Sequence, residues 1–475
     1  MADSPNILFI LTDDQGPWAA GCYGNEEIRT PGIDRIAAAG MRFEHFFAAS
    51  PVCSPSRANF LTGRISSQHG VHDWIRGGNV GADAATYLQG EVTYTDILAQ
   101  HGWRCGLSGK WHLGNSQLVQ HGFDHWYVHQ TGGGDYNSPP MIRDGELVAE
   151  SGYVTNLITD DALRFLGQRA EDEDPFYLSV HYTAPHSPWT GHPQDLVDSY
   201  DDCRFDSCPQ EPIHPWAKGQ GLSERCLNDR EMLKGYFAAV TAMDADVERL
   251  LDRLEELRLR EETLVVFASD NGFSCGHHGF WGKGNGTWPL NMYENSVRVP
   301  FLMSQPGRIP EGEVERGLHS SCDFMPTLLD YLGLPLPEGR NLPGRSFLPV
   351  LEGAGGGDSG REAIVVQAGA PGFSEYGATR MVRTEEWKYV HRYPQGPHEL
   401  YHLTDDPDER SNLAEDAGYR RQKKELKLRL EDWFDRYGTD PTLDGRQRSV
   451  TGKGQLRPIG GSVAEEETGE AFAQG

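Results

Sequence analysis

NILFILTDD, residues 6–14, sets two adjacent carboxylates at the end of an unbroken apolar run. A strand with one wet face alternates apolar and polar residues. A run without alternation needs cover on both faces, as in a parallel sheet packed between helices. PFYLSVH (175–181) and TLVVFA (263–268) repeat the pattern, and the second also ends in an acid, in the turn sequence Ser269-Asp270-Asn271-Gly272. Shorter strands are expected at 103–107 and 299–303. Helical periods fall between them, at 29–40, with Pro31 near the start and Gly40 after the last turn, and at 95–102, 155–169, 232–259 and 324–332. The fourth is the clearest: Phe237, Val240, Met243, Val247, Leu250, Leu251 and Leu254 recur at steps of three and four. Strands alternating with helices imply an α/β fold, a large mainly parallel sheet sandwiched by helices.

The character changes after the glycine-rich stretch 353–360. Residues 363–367, 378–384, 387–392 and 399–403 read as short antiparallel strands and 419–437 as an amphipathic helix, a smaller C-terminal α+β subdomain built on an antiparallel sheet. The expected division is a catalytic α/β domain over 1–360, the subdomain over 361–438, and a polar, mobile tail over 439–475. A chain of 475 residues that is 37% hydrophobic and 10% aromatic can bury cores of this size. With 43 basic against 70 acidic residues, the formal charge of −27 argues against broad binding to nucleic acid or to an anionic membrane. An anionic substrate must then be held by a local cluster of Arg, Lys and His. No apolar run approaches the roughly 18 residues of a membrane span. Residues 1–5 lead directly into the first strand without a signal-peptide pattern, so the chain as written reads as cytoplasmic, or as periplasmic or secreted if a leader was removed. Of the eight cysteines only Cys203 and Cys208 lie close together, no zinc-ribbon spacing occurs, and reduced thiols are expected.

Open parallel sheets bind ligands beyond the carboxyl ends of their strands. The first strand delivers Asp13 and Asp14 there, and the strand at 103–107 leads through GKWHLG to Lys110 and His112. The 175–181 strand leads to His181 and His186, and the 263–268 strand to Asp270 and Asn271. Asp13, Asp14 and Asp270 converging on one point would repel one another, which implies a divalent metal among them. Oxygen ligands, the Asn271 amide included, favour calcium or magnesium over zinc. Lys110 and His112, two residues apart, share a face in extended backbone while Trp111 turns into packing. A cation beside a proton-transfer group suits a tetrahedral oxyanion with a leaving group.

PVCSPSRANFLTGR (51–64) adds a reactive side chain. Ser54 is a good N-cap, Pro55 suits a first helical turn, and Gly63 suits the stop after Ala58, Phe60 and Leu61. Cys53 and Arg57 then sit at a helix N-terminus, where backbone N–H groups and a guanidinium cradle an anion.

Taken with TDDQG, GKWHLG, the APHSP of residues 184–188, SDNG, and ELYHLTDDPDERSNL (399–413), the C-x-P-S-R motif resembles the formylglycine-dependent type I sulfatases of the alkaline-phosphatase superfamily. The motifs occur in that family's order and span roughly residues 6–437. The resemblance implies that Cys53 is oxidised to formylglycine by a modifying enzyme that reads Pro55 and Arg57. It implies that hydrated residue 53 joins Asp13, Asp14, Asp270 and Asn271 on one divalent metal, calcium before magnesium. One hydroxyl, deprotonated with help from Asp270, would attack sulfur while Arg57, Lys110 and Lys283 stabilise the sulfuryl oxygens. His186, with Lys283, would protonate the departing alcohol, and His112 would take a proton from the second hydroxyl to expel sulfate. Lys283 is placed by the family's habit of a lysine after DNG at variable distance.

His181 reads as a packed core histidine, and His277 and His278 as rim residues. His69, Asp73, Trp74, Arg76, Tyr136, Asn137 and Trp288 are candidates to shape the pocket. Trp74 and Trp288 among them tilt the substrate toward a sulfated carbohydrate, a sulfated small molecule or oligosaccharide, because sugars stack on indole faces, with aryl sulfate as the other choice. Related enzymes with the same modified cysteine cleave phosphonate monoesters or phosphodiesters, which is the alternative activity. A non-catalytic binder of sulfated ligands is the alternative of another class; it predicts eroded chemistry, yet Cys53, Arg57, Lys110, His112, His186 and Asp270 all stand.

Overall fold

The computed structural model describes residues 4–82, 84–169, 172, 174–219, 221–353, 361–369, 378–438 and 440–444. Eleven strands form one sheet. The first eight in chain order are β1 (Asn6–Thr12), β2 (Met41–Phe47), β3 (Arg104–Lys110), β4 (His125–His129), β5 (Pro140–Arg143), β6 (Glu146–Ala149), β7 (Phe176–His181) and β8 (Thr263–Ser269), if the two-residue pairs elsewhere are set aside. At the centre β8, β1, β7 and β3 lie side by side and parallel. Thr12 pairs with Ser269, Leu11 with His181, and His181 with Gly109, so the four strands end level.

The unbroken apolar run of β1 now has its reason. Ile7, Phe9 and Leu11 enter the core on one face, with Phe60 of the Cys53–Thr62 helix and Phe324 of the Phe324–Tyr331 helix. Leu8 and Ile10 enter the core on the other, with side chains of the Val154–Arg169 and Arg230–Glu256 helices. Each of the five is at most 1% exposed, a burial worth about 1.5–3 kcal/mol per side chain. The long helix starts at Arg230 because the Asp229 carboxylate accepts from the N–H groups of Glu231 and Met232, at 3.0 and 3.4 Å.

The sheet extends beyond its parallel centre in ways the sequence reading did not contain. β4 continues parallel beside β3, and β5 and β6 add an antiparallel hairpin at that edge. On the other side Phe301–Ser304 runs antiparallel between β8 and β2, while Glu313–Ser320 runs parallel to β2. The strand expected at 299–303 is two pieces, Arg298–Val299 and Phe301–Ser304, parted at Pro300, which has no N–H to give to a ladder.

Strands Ile364–Ala368, Thr379–Arg383, Trp387–Arg392 and Glu399–His402 form the expected antiparallel sheet of four. The Arg420–Tyr437 helix lays Leu426, Leu430 and Phe434 on it, in a core that also takes in Ala49, Ile65 and Cys322 of the larger domain. Two buried cations cross the junction: Lys388 Nζ donates to the Met292 carbonyl (2.9 Å), and the Arg392 guanidinium donates to the Leu290 carbonyl (2.7 Å). Residues 440–444, the beginning of the expected mobile tail, are packed down. The Leu443 carbonyl accepts from His72 Nε2 at 2.8 Å, and the buried Asp444 pairs with Arg380 at 2.7 Å. The rest of that tail, and residues 354–360 of the glycine-rich stretch, lie outside the described residues. Among the described residues no helix is long and apolar enough to cross a membrane, and all eight cysteines are free thiols.

Candidate active site

Asp13 and Asp14 leave the end of β1, and Asp270 and Asn271 the end of β8 beside it. The Asp13 N–H donates to the Ala184 carbonyl (3.1 Å) and the Asp270 N–H to the Thr12 carbonyl (3.0 Å), which ties both turns to the sheet. Asp14 has φ 67°, a left-handed bend, and its carbonyl accepts from the Tyr236 hydroxyl at 2.8 Å. The three carboxylates are buried. Ligand atoms of Asp13, Asp14, Cys53 and Asp270 all lie within 4.8 Å of one another.

Cys53 is the first residue of its helix, so the expected Ser54 cap is not formed. Val52 takes the capping position in extended backbone, and Ser54 Oγ accepts instead from the Ile75 N–H at 3.1 Å. Gly63, at φ 64°, ends the helix as expected. The Cys53 thiol donates to Asp13 Oδ1 (3.2 Å) and accepts from Lys283 Nζ (2.6 Å). Burial, and then the Asp13 carboxylate, push the thiol pKa up. Unmodified, the side chain is therefore a poor nucleophile.

The three cations that the sequence reading assigned to the sulfuryl oxygens sit on the carboxylates themselves. Lys110 Nζ donates to Asp13 Oδ2. Lys283 Nζ donates to Asp14 Oδ1 at 2.6 Å, and Arg57 Nε to Asp270 Oδ2 at 2.9 Å. Burial works against the Asp13 carboxylate, but Lys110, His186, Lys283 and Arg57 outweigh it and hold the pKa well below the usual range. Asp270 is pushed up to about 6 by burial and then by Asp13. Burial opposes the Lys283 ammonium, yet Asp14, Cys53, Asp13 and Asp270 keep it charged. With charges already matched, repulsion alone no longer calls for a metal. The donor chemistry does: Asp270 Oδ1 and Asn271 Oδ1 are buried with no hydrogen-bond partner, a costly state for two oxygens that a hard divalent cation relieves.

His112 Nε2 donates to the Ile75 carbonyl at 3.0 Å, and its buried Nδ1 has no partner. Burial, then Lys110, keep the ring neutral. The extended-backbone picture of GKWHLG holds for Trp111, which packs on Phe123 and Trp126, but not for His112, whose φ is 55°. Gly132 is required above that imidazole, since a Cβ there would lie 2.3 Å from its Cε1. His186 is half-buried, donates from Nδ1 to the Ser187 carbonyl (2.8 Å) and sets Nε2 3.8 Å from Asp14 Oδ2. His181 is the packed residue expected, donating from Nδ1 to the Lys110 carbonyl (3.2 Å), its ring edge-on to Phe9.

The pocket candidates divide. Asp73, Trp74 and Arg76 flank Ile75, which is tied to both Ser54 and His112. Tyr136 lies beneath the site, its hydroxyl donating to the His186 carbonyl at 2.7 Å, and the exposed Asn137 donates to the Gly191 carbonyl. His69 is buried against Asn59 and the Val71 N–H. Trp288 packs on the cluster of Leu290, Met292 and Val366. His277 and His278 are half-buried, with their rings against Trp18 and Tyr293. The sequence reading missed Ser56, whose Oγ donates to the Asp270 carbonyl, Tyr236, and His129, which ends β4 in register with Lys110.

Known proteins resemble the chain in sequence and in fold. Residues 5–334 match the family described as Sulfatase, and 276–435 the one described as N-sulphoglucosamine sulphohydrolase, C-terminal. An N-acetylglucosamine-6-O-sulfatase of Bacteroides thetaiotaomicron is 30% identical over 95% of this chain and 90% of its own. A choline-sulfatase of Rhizobium meliloti is 29% identical over 86% and 82%. A solved structure of a protein in complex with its substrate D-glucosamine-2-N,6-O-disulfate superposes with a TM-score of 0.79 at 28% identity, covering 93% of this chain and 99% of that one. A phosphonate monoester hydrolase of Agrobacterium radiobacter shares the fold alone, with a TM-score of 0.71 at 20% identity. With four parallel strands ending level beside a buried cluster of acids, Cys53 and three cations, and a family match over most of its length, the chain belongs to the sulfatase family of the alkaline-phosphatase superfamily.

Proposed function

We propose that the protein hydrolyses a sulfate monoester of a carbohydrate to the alcohol and inorganic sulfate. It would do so with Cys53 converted to formylglycine and with calcium held by Asp13, Asp14, Asp270 and Asn271. The observation that carries the reading is the convergence of these oxygen donors, Cys53 and three cations at the level ends of β1, β3 and β8. The substrate class is supported by the name of the N-acetylglucosamine-6-O-sulfatase and by the amino-sugar disulfate bound in the solved structure. When present, the metal supplies Lewis-acid polarisation of a sulfuryl oxygen and hydrated formylglycine supplies geminal hydroxyls.

The chain's own residues do the rest. Arg57, Lys110 and Lys283 present a guanidinium and two ammoniums to the sulfuryl oxygens, inside walls that exclude water and so strengthen each contact. Asp270 orients Arg57 through its Nε–H. His186 Nε2 delivers a proton to the departing alcohol oxygen; burial lowers the pKa of its ring, which makes the charged form a ready acid, while the Asp13 and Asp14 carboxylates work against that shift. His112 Nδ1, held neutral and without another partner, accepts the proton that residue 53 gives up.

The test compares enzyme co-expressed with a formylglycine-generating activity against Cys53→Ala, on a 6-O-sulfated N-acetylglucosamine, an aryl sulfate and a phenylphosphonate monoester. Sulfate release should fall by at least about 10³-fold in the variant, and peptide mass should show an aldehyde in place of the Cys53 thiol. Retained activity in the variant, or a large preference for the phosphonate, overturns the reading.

A further inference from the structure

The segment from Asp73 to Arg76 is tied through Ile75 to two elements of the site. Ile75 is pinned on both sides, its N–H to Ser54 Oγ of the Cys53 helix (3.1 Å) and its carbonyl to His112 Nε2 (3.0 Å). Burial alternates along the segment: Asp73 and Ile75 are 2% exposed, whereas Trp74 is 37% exposed and Arg76 is also exposed. Trp74 is the one tryptophan among the exposed large hydrophobic side chains of the described residues. The Arg76 guanidinium carbon lies 4.9 Å from the Trp74 ring centroid, and Arg76 Nη2 lies 3.3 Å from Asp73 Oδ2. An indole face and a guanidinium thus stand together, set by a buried carboxylate, next to the residues that handle the ester.

We propose that Trp74 and Arg76 form a second recognition point that reads an anionic substituent, sulfate or carboxylate, carried by the sugar in addition to the ester that is cleaved; this rests on the carbohydrate-sulfatase reading above. A sugar ring stacks on an indole whether or not it is charged. The guanidinium beside the indole is what a neutral sugar does not require. Its rigid fork of N–H donors fits the paired oxygens of sulfate or carboxylate. The chain's net charge of −27 opposes the approach of any polyanion, so a fixed cation on this segment selects for one.

The test measures kcat and KM on four sulfate esters: an aryl sulfate, N-acetylglucosamine-6-O-sulfate, D-glucosamine-2-N,6-O-disulfate, and a 6-O-sulfated glucosamine linked to a uronate. The wild type should prefer one of the last two over the monosulfated sugar by about 10-fold or more in kcat/KM; which of them is preferred tells a second sulfate from a carboxylate. Arg76→Gln should erase that preference, mainly through KM, with Arg76→Lys recovering part of it, while aryl sulfate turnover changes by less than about threefold and reports correct folding. Equal loss on all sugars in Arg76→Gln, or no wild-type preference for a second anion, overturns the inference while leaving the parent reading intact. Failure of the wild type on every ester overturns the parent reading and the inference with it.

Discussion

Lys283 brings an ammonium to within 2.6 Å of both Asp14 Oδ1 and the Cys53 sulfur. Lys283→Met keeps the stem and removes the charge, leaving the buried carboxylates short of a counter-ion, a situation that costs about 3–5 kcal/mol. The melting temperature of the variant should drop strongly in chelator and less in excess calcium; equal drops would show that calcium does not share these carboxylates. His186→Ala should lower kcat/KM about 10²–10⁴-fold on a sugar sulfate and clearly less on an aryl sulfate, whose leaving group needs no proton. Equal losses on both would remove His186 from that role. At Gly109 the backbone has φ +117° and a Cβ would sit 1.9 Å from the His181 carbonyl oxygen, so Gly109→Ala should yield no soluble folded protein on expression. The acids were legible because each follows an apolar strand directly in sequence. Ser56 and Tyr236 were not, because their hydroxyls reach the Asp270 and Asp14 carbonyls, 214 and 222 residues away, a fact of packing rather than of local pattern.

Among the elements, the hairpin of β5 and β6 carried a readable signal that went unused. Its turn is Asp144-Gly145, with φ 52° and 86° at the two positions, the left-handed pair that a tight two-residue hairpin demands. β2 had a weaker one, Met41 and Phe43 buried with Arg42 and Glu44 half-buried between them. The long parallel strands were legible because both their faces are covered, whereas β5 and β6 have four residues each and owe their place to pairing. Residues 440–444 were misread for a related reason: a polar composition hides the one apolar anchor, Leu443, and the buried ion pair of Asp444 with Arg380. That strap holds His72, the neighbour of Asp73. A chain ending at Gly438 should therefore bind carbohydrate esters with a raised KM while retaining most aryl sulfate turnover, as steady-state kinetics on the two substrates would show; an unchanged KM would separate the strap from substrate binding.

Over the whole molecule, burial extends to histidines as well as to apolar side chains. Burial first of all draws His72, His129 and His192 down to about 4 and His391 to about 3. An unfolded chain, whose histidines titrate near 6.5, takes up these protons first as the pH falls. The stability they contribute is complete above that value and is lost toward pH 4, by about 1.4 kcal/mol per pH unit for each ring. Urea midpoints should thus fall steeply from pH 6.5 to 5; a flat profile would contradict the neutral, buried state of these rings. The junction between the two domains has a different consequence. Lys388 and Arg392 extend from the small sheet to cap carbonyls of Met292 and Leu290 in the large one, and Lys388 also neutralises Glu294 at 2.7 Å. Neither half can be lifted away without stranding ions and bare peptide oxygens in an apolar seam. A calorimeter should register one peak of heat absorption for the entire protein, and a gene cut at the seam should produce two fragments that recover their shape only when they are mixed.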